Sequence, residues 1–322
     1  MQGTVVGVLR GGPSREHHVS LRTGHTLLSS LPSARFSVRD IYIDVKGVWH
    51  ERGRAISPAD ALRTLDVALI GLHGEYGEDG EVQRLLERAG VPYTGSDALS
   101  SFTAMHKALS KERAKDMGLR TPDYRYIERM EDIEPMAKDA VRTFMQPVVI
   151  KPVRWGSSIG VSLASGYQEI HTAASELFGL GADGVLIEEY IRGTEATAGV
   201  LEGLRGEPLY ALPPVEVVLP RPERLFSFNT KYSGAAQETV PARFSKAVRD
   251  ALGDAARTAH RALGLRHYSR SDFIVTPRNI YYLETNSLPA IAEESLFAKS
   301  LKAVGVSLSE FASHLVGLAL KR

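Results

Sequence analysis

Residues 270–296 read RSDFIVTPRNIYYLETNSLPAIAEESL and contain two apolar runs on either side of Pro277-Arg278-Asn279. Apolar runs joined by a short turn-forming segment predict a β-hairpin, here with a three-residue turn. This turn fixes which residues face each other across the two strands: Thr276 and Ile280, Ile274 and Tyr282, and Asp272 and Glu284. The hairpin therefore brings two carboxylates together.

These carboxylates are a candidate metal site. Like charges opposite each other destabilise a strand pair, so a cation between Asp272 and Glu284 would explain their pairing. Asn286 points to the same face because it lies two residues beyond Glu284. Carboxylate and amide oxygens suit Mg²⁺, which commonly takes its remaining ligands from water and substrate phosphates. This stretch alone leaves a second interpretation open, a solvated hairpin with an acidic wet face.

The composition indicates a globular protein with two or three domains. The chain has 322 residues, of which 43% are hydrophobic and 24% are charged, and its formal net charge is +1. Neither the charge nor its distribution predicts binding to nucleic acid. The chain has no cysteine, signal-peptide pattern or run long enough to span a membrane, so we expect a cytoplasmic protein without membrane contact.

The N-terminal part predicts an open α/β domain. Residues 4–9 form a valine-rich run that ends at Gly11-Gly12, and a helical pattern follows from about Val19 to Leu31. A second buried strand is predicted at 66–71. His73 follows that strand, at the edge where open α/β sheets bind ligands. A packing or loop role is the alternative for this histidine.

A second set of residues suits a nucleotide. Lys151 ends an apolar strand and precedes the donor-rich segment GSSIG at 156–160, which could wrap phosphate without being a P-loop. A plain hairpin loop is the alternative. Further on, Glu188 and Glu195 flank a polar turn and could accept hydrogen bonds from adenine and ribose, although surface strands often carry glutamates.

The C-terminal part combines an irregular loop with two helices. Residues 220–241 contain three prolines and predict a long loop of the kind that covers active sites, with Lys231 and Tyr232 as candidate lid residues. An amphipathic helix is predicted over 245–265, and a last helix over 307–320.

Taken in order, several motifs resemble those of the D-alanine:D-alanine ligases of the ATP-grasp superfamily. They are GGPSREHHVSLRTG, LHGEYGEDGEVQ with GVPYTGS, MHK, VVIKPVRWGSSIGVS, LIEEYIRGTE, TKYSG, RSDF and LETNSLPAIAEESL. The resemblance implies a mixed α/β (α+β) fold with an N-terminal α/β domain at 1–95 and two ATP-grasp domains at 96–188 and 189–322, whose antiparallel sheets enclose ATP.

The resemblance also implies a reaction and its participants. Two D-alanines would be joined through an acyl phosphate at the expense of ATP, for peptidoglycan precursor synthesis. Two Mg²⁺ ions, or Mn²⁺ in their place, would bind Asp272, Glu284 and Asn286. The other partners would be small molecules only, and a homodimer is expected from the family alone.

Individual roles follow from the same resemblance. The implied nucleotide ligands are Lys107, Lys151, Glu188, Glu195 and the lid residue Lys231. Glu16, Ser157 and Tyr232 would form a hydrogen-bonded trio, with Glu16 near the first ammonium group. Arg270 and the backbone at Ala290 would hold the oxyanion. Ser295 and Leu296 would contact the carboxylate of the second substrate, and His73 would help to bind or deprotonate substrate.

The chain departs from the family pattern at several positions. His106 stands where an aspartate is usual, Val153-Arg154-Trp155 precedes the Gly-Ser loop, and Ala290 replaces a glycine. The alanine methyl limits φ and could crowd the second substrate. Two other interpretations therefore stay open, a ligase for a different amino acid pair and a catalytically silent nucleotide-binding homologue.

Overall fold

The computed structural model describes residues 3–219 and 236–321. The predicted lid residues Lys231 and Tyr232 lie outside these ranges, as does most of the predicted loop. Within the described ranges, no helix combines the length and the apolar character needed to cross a lipid bilayer.

The first sheet is built around a parallel βαβ unit, as the sequence predicts. β1 (Thr4–Gly11) pairs in parallel with β2 (Phe36–Ile43) and with β5 (Val67–Ile70), and α1 (His17–Ser30) makes the crossover from β1 to β2. β3 (Trp49–Glu51) and β4 (Arg54–Ala55) extend the sheet in antiparallel fashion. α2 (Pro58–Leu62) and α3 (Glu81–Ala89) complete this region.

The turn after β1 depends on glycine. Gly11 has a φ of +91°, and a Cβ there would collide with the carbonyl oxygen of Ile43. Only glycine combines this backbone conformation with such a close approach to β2. The turn therefore directs the following segment, including Glu16, along the carboxyl edge of the sheet.

The second sheet is antiparallel and has the order β6-β9-β7-β8. Its strands are β6 (Tyr124–Ile127), β7 (Val148–Pro152), β8 (Ser162–Ala164) and β9 (Val185–Glu189). α6 (Ile133–Thr143) and α7 (Gly166–Gly179) pack together and on the sheet, so that buried aliphatic side chains fill the space between helices and strands. Trp155 belongs to this core.

The third sheet is also antiparallel, in the order β13-β12-β10-β14-β15 with β11 beside β10. Its strands are β10 (Thr194–Glu202), β11 (Leu209–Ala211), β12 (Val215–Val218), β13 (Gln237–Thr239), β14 (Tyr268–Val275) and β15 (Ile280–Asn286). The amphipathic helix α8 (Lys246–Ala262) packs on this sheet through Leu252, Ala256 and Ala259, as predicted.

The remaining helices join the layers. α4 (Ala98–Met105) and α5 (Lys107–Asp116) lie beside β15, and α5 also contacts the second sheet through Ala108. α9 (Leu296–Ala303) follows the hairpin, and α10 (Leu308–Ala319) returns to pack against α1 and β5. The mixed α/β class is as predicted, and the last helix completes the core beneath the first sheet.

The hairpin of β14 and β15 differs from its predicted register in one half. Its turn spans four residues, closed by hydrogen bonds between Thr276 and Asn279, so Val275 rather than Thr276 pairs with Ile280. The observed partners of Ile274 and Tyr282 are Tyr281 and Phe273, respectively. A β-bulge at Leu283 absorbs the extra turn residue and restores the predicted pairing of Asp272 with Glu284.

Candidate active site

Two cavities meet beside the hairpin. The first, the substrate cavity, lies between the loop after β1 and the hairpin, and it includes Glu16, His73 and Arg270. The second, the nucleotide cavity, lies between the two antiparallel sheets and includes Lys151 and Glu188. They share one wall, formed by Lys107, Trp155, Glu195, Val217, Asp272 and Glu284. A ligand in one cavity would therefore approach a ligand in the other at this wall.

The predicted metal ligands lie on that wall or next to it. Asp272 accepts two hydrogen bonds of 2.9 Å from Arg270, and Glu284 lies 3.4 Å from Nζ of Lys107. Burial alone would lower the pKa of Arg270, but the charge and hydrogen bonds of Asp272 outweigh it and raise this pKa. Each carboxylate thus lies next to a cationic side chain.

An amide completes the donor set. Oδ1 of Asn286 is buried and has no hydrogen-bond partner among the described residues, although such an oxygen is costly to leave unpaired. The described ranges contain no group of three Asp, Glu, His or Cys side chains placed to hold a metal. Two carboxylates with an amide oxygen fit Mg²⁺, with phosphates and water as the remaining ligands.

The two described lysines predicted to contact phosphate are both buried. Lys107 begins α5 and donates a 2.7 Å hydrogen bond to the carbonyl oxygen of Trp155. Burial lowers the pKa of Lys107, partly offset by the charge of Glu284. Lys151 lies on β7 and donates a 2.8 Å hydrogen bond to Glu188. Positive charge therefore lies in the shared wall, through Lys107, and in the nucleotide cavity, through Lys151.

Glu188 is bound on both oxygens. Its Oε1 accepts from Lys151, and its Oε2 lies 2.7 Å from Nζ of Lys111, a fully buried lysine that the sequence analysis missed. Burial lowers the pKa of Lys111 to about 8, whereas burial would raise the pKa of Glu188 and the two lysines lower it. A carboxylate has further lone pairs, so its predicted contact with adenine stays a prediction.

Glu195, the predicted ribose ligand, lies on β10 between Val217 of β12 and Ile274 of β14. Its side chain borders both cavities. Glu195 therefore lies where it could accept a hydrogen bond from a ribose hydroxyl group of a bound nucleotide.

The N-terminal loop reaches the second sheet through Glu16. Ser157 Oγ donates a hydrogen bond to Oε1 of Glu16, so two of the three predicted trio members are in contact. Ser157 has a φ of +51°, a conformation that L-residues rarely adopt. The buried carboxylate of Glu16 borders the substrate cavity, where it could bind an ammonium group.

His73 is buried and held by a short network. Its Nε2 lies 2.7 Å from Oγ1 of Thr23, and that hydroxyl oxygen accepts a hydrogen bond from the backbone N–H of Ile291. Burial lowers the pKa of His73 to about 4, despite a hydrogen bond from the ring to the backbone of Leu288. The imidazole is therefore neutral near pH 7, and Thr23 can donate to its Nε2.

Glu78 is a further buried acid that was not predicted. Its carboxylate accepts hydrogen bonds from the backbone N–H groups of Gly74 at 2.8 Å and Leu288 at 3.4 Å. Burial and the charge of Glu16 raise the pKa of Glu78 to about 8. Through its hydrogen bonds, the Glu78 side chain joins the loop after β5 to the loop after β15, and it also lines the substrate cavity.

Ala290, Ser295 and Leu296 all border the substrate cavity. Ser295 caps α9, with its Oγ accepting from the N–H of Ala298 at 3.2 Å. Ala290 has no positive φ, so the backbone here does not require the glycine that is usual in the family. The alanine methyl therefore acts through the space it occupies rather than through backbone strain.

For two of the site residues that the sequence analysis missed, the sequence does contain a signal. Lys111 lies four residues after Lys107 on one helix, so both face the same side. Glu78 lies within the glycine-rich segment that follows His73. Thr23 had no signal, because its role depends on the distant segment at Ile291.

Comparisons with known proteins agree along the chain. The family models described as D-ala D-ala ligase N-terminus and C-terminus match residues 5–96 and 114–317. A D-alanine--D-alanine ligase of Desulforudis audaxviator is 37% identical over 320 residues, 98% of this chain and 99% of the relative. One of Syntrophobacter fumaroxidans is 38% identical over 318 residues, 98% and 97% of the two chains.

Solved structures show the same similarity. A D-Ala:D-Ser ligase from Enterococcus faecalis has a TM-score of 0.86 at 28% identity, with 99% of this chain and 100% of that chain covered. A D-alanine--D-alanine ligase from Bacillus anthracis, solved in complex with ATP, has a TM-score of 0.81 at 28% identity, with 99% and 98% covered. The antiparallel sheets and the N-terminal domain are thus shared over the full length.

Proposed function

Because this chain belongs to the D-alanine–D-alanine ligase family, we propose that it uses ATP to join two D-alanine molecules into D-alanyl-D-alanine. The proposal is carried by the wall that the two cavities share. Lys107, Asp272 and Glu284 border both cavities there. A triphosphate and a carboxylate would meet at this wall. The dipeptide would then serve peptidoglycan precursor synthesis.

The first step activates a poor acyl donor. The carboxylate of the first D-alanine attacks the γ-phosphate of ATP, which yields an acyl phosphate and ADP. Lys107 and Lys151 offset the negative charge that crowds this point, together with Lys231 of the proposed lid. Removing one such contact commonly lowers the rate about 100-fold.

Metal binding belongs to the same proposal. Asp272, Glu284 and Asn286 would hold two Mg²⁺ ions, or Mn²⁺, which when bound offset phosphate charge and orient the transferred group. The bulge at Leu283 keeps the two carboxylates opposite each other, so that the hairpin presents them as a pair.

The second step forms the peptide bond. The neutral amine of the second D-alanine attacks the acyl carbonyl, and the tetrahedral oxyanion is stabilised by Arg270 and the backbone N–H of Ala290. Collapse of this intermediate expels phosphate. Ser295 and Leu296, at the start of α9, would bind the second carboxylate, which the N-terminal end of a helix favours.

The remaining residues would bind and orient the substrates. Glu16, held by Ser157, would pair with the first ammonium group, and Tyr232 of the lid would join them. His73 would bind substrate as a neutral imidazole, because a pKa of about 4 makes it a weak base near pH 7. Glu188 and Glu195 would hold adenine and ribose.

The proposal also includes a domain division, a cellular location and an oligomeric state. The division at 1–95, 96–188 and 189–322 would give each of the three sheets its own domain, except that β9 ends at Glu189, one residue past the second boundary. A cytoplasmic location suits an enzyme that consumes ATP, and the absence of cysteine is in keeping with it. A homodimer is proposed from the family, and light scattering on the purified protein would test it.

A ligase for another amino acid pair is the second candidate, because Ala290 narrows the substrate cavity. Incubating the purified protein with ATP, Mg²⁺ and single or paired D- and L-amino acids, with phosphate and product mass measured, separates the candidates. We expect phosphate and D-alanyl-D-alanine with D-alanine alone. Product only with a different pair would favour the second candidate, and no phosphate with any amino acid would favour a silent homologue.

A further inference from the structure

Arg15 connects three segments of the chain. Its Cζ lies 4.0 Å from the centroid of the Trp155 ring, which is the geometry of a cation–π contact. Its Nη2 donates to the carbonyl oxygen of Leu180 at 3.0 Å, and its Nη1 donates to Glu75 at 3.0 Å. The guanidinium therefore ties the loop after β1 to the loop after β5 and to the second sheet with its helices.

Trp155 is fixed independently of Arg15. The residue is 6% exposed and belongs to the core between the second sheet and its helices. Its carbonyl oxygen accepts a 2.7 Å hydrogen bond from Lys107 on α5. The ring is thus a rigid surface on which the guanidinium rests, and Arg15 is the part whose position depends on the contact.

The residues that follow Arg15 and Trp155 in the sequence also contact each other. Glu16 comes directly after Arg15, and Gly156 and Ser157 come directly after Trp155. Ser157 donates to the Glu16 carboxylate, and a Cβ on Gly156 would collide with it. Glu16 borders the substrate cavity, whereas Arg15 borders neither cavity. Arg15 can therefore affect a substrate only through the residues that it contacts or precedes, which are Trp155 in the shared wall and Glu16.

We propose that Arg15 and Trp155 form a clamp that positions Glu16 for the donor D-alanine, and that Arg15 is a positioning residue of the ligase reaction. The inference rests on the proposed function. Arginine suits this role because its planar guanidinium stacks on an aromatic face while its edge donates several hydrogen bonds. Without the clamp, Glu16 keeps its bonds to Ser157 and Ser14 but loses the side-chain contacts of the residue directly before it.

Steady-state kinetics of Arg15→Met, Arg15→Lys and the control Arg257→Met test the clamp. Arg257 pairs with Asp254 on α8 and borders neither cavity. Arg257→Met is therefore a control for the loss of an arginine ion pair that lies outside the site. For Arg15→Met we expect the KM for donor D-alanine to rise about five- to tenfold with an unchanged KM for ATP. The KM for donor D-alanine of Arg15→Lys should lie between those of the wild type and Arg15→Met, because lysine keeps the charge without the planar guanidinium. An unchanged KM for D-alanine, or an equal rise in Arg257→Met, would overturn the proposal.

A second measurement does not need catalysis. Trp49 and Trp155 are the two tryptophans of the chain, so Trp155 fluorescence can be isolated in a Trp49→Phe background. Adding Arg15→Met should increase acrylamide quenching of Trp155 about twofold, because the guanidinium covers one ring face. Unchanged quenching would overturn the clamp. If the wild-type protein released no phosphate with D-alanine, the proposed function would fail while the quenching result would still decide the contact.

Discussion

Asp272 and Glu284 lie directly opposite each other on β14 and β15, and each is bound by a different cation. Arg270 holds Asp272 with two hydrogen bonds, and Lys107 approaches Glu284 from α5. Each carboxylate therefore has its own cationic neighbour, and beside them lies the amide oxygen of Asn286, which has no hydrogen-bond partner among the described residues. Several measurable consequences depend on this arrangement.

Asn286→Ala should weaken metal binding. The variant removes the buried oxygen that has no described protein partner, so the Mg²⁺ concentration for half-maximal phosphate release should rise about tenfold. Magnesium titrations of phosphate release measure this shift. Asp254→Asn, on the exposed side of α8, is the control and should keep the wild-type dependence. An unchanged Mg²⁺ requirement in Asn286→Ala would remove this residue from the metal site.

Glu188 and the two buried lysines that bind it predict an order of stabilities for their variants. Glu188→Gln leaves two buried ammonium groups without a counter-charge and should cost about 3–5 kcal/mol of unfolding free energy. Lys111→Met removes one partner but leaves the pair of Lys151 and Glu188, so about 1–3 kcal/mol is expected. Urea unfolding of both variants measures the difference. A larger loss in Lys111→Met than in Glu188→Gln would contradict this account.

His73 should make the protein less stable in acid. Its pKa is about 4 in the folded chain and about 6.5 in the unfolded chain. Between pH 6.5 and pH 4 the unfolded chain binds the extra proton, so the unfolding free energy falls as the pH is lowered through this window. Urea unfolding across this range should give a shallower fall for His73→Gln than for the wild type. Parallel curves would show that the imidazole is not held neutral.

Ala290→Gly should widen the choice of second substrate. The backbone at Ala290 does not need glycine, so the variant mainly removes a methyl group from the cavity. We expect kcat/KM for D-serine as the second substrate to rise about tenfold relative to D-alanine, in line with one methylene group. Competition assays with both amino acids give this ratio. Ala34→Gly, at an exposed turn, should leave it unchanged, and an unaltered ratio in Ala290→Gly would mean that the methyl does not limit the site.

Much of the fold follows from local patterns. The βα unit at the N-terminus and the amphipathic α8 were predicted from glycine positions and hydrophobic periodicity. The pairing of Asp272 with Glu284 was predicted from two apolar runs and the turn between them. Half of the hairpin register was wrong because the turn holds four residues rather than three. The bulge at Leu283 corrected the offset, and bulges depend on the surrounding sheet rather than on local sequence.

The parts of the site where distant segments of the chain meet were harder to predict from the sequence. Glu16 and Ser157 could be paired only through the family resemblance, because 141 positions separate them. The contacts of Arg15 with Trp155 and of Thr23 with Ile291 have no periodic or spacing signal at all. Burial also changes chemistry that composition cannot show, as in the raised pKa of Glu78 and the lowered pKa of His73.

The central claim is that a D-alanine carboxylate oxygen is transferred to phosphate before the peptide bond forms. It can be tested with D-alanine labelled with ¹⁸O in both carboxyl oxygens, by mass analysis of the phosphate and dipeptide made with ATP and Mg²⁺. The account predicts one labelled oxygen in each released phosphate and one retained in the new amide carbonyl. Unlabelled phosphate would mean that the carboxylate never attacked ATP, and would contradict the proposed reaction.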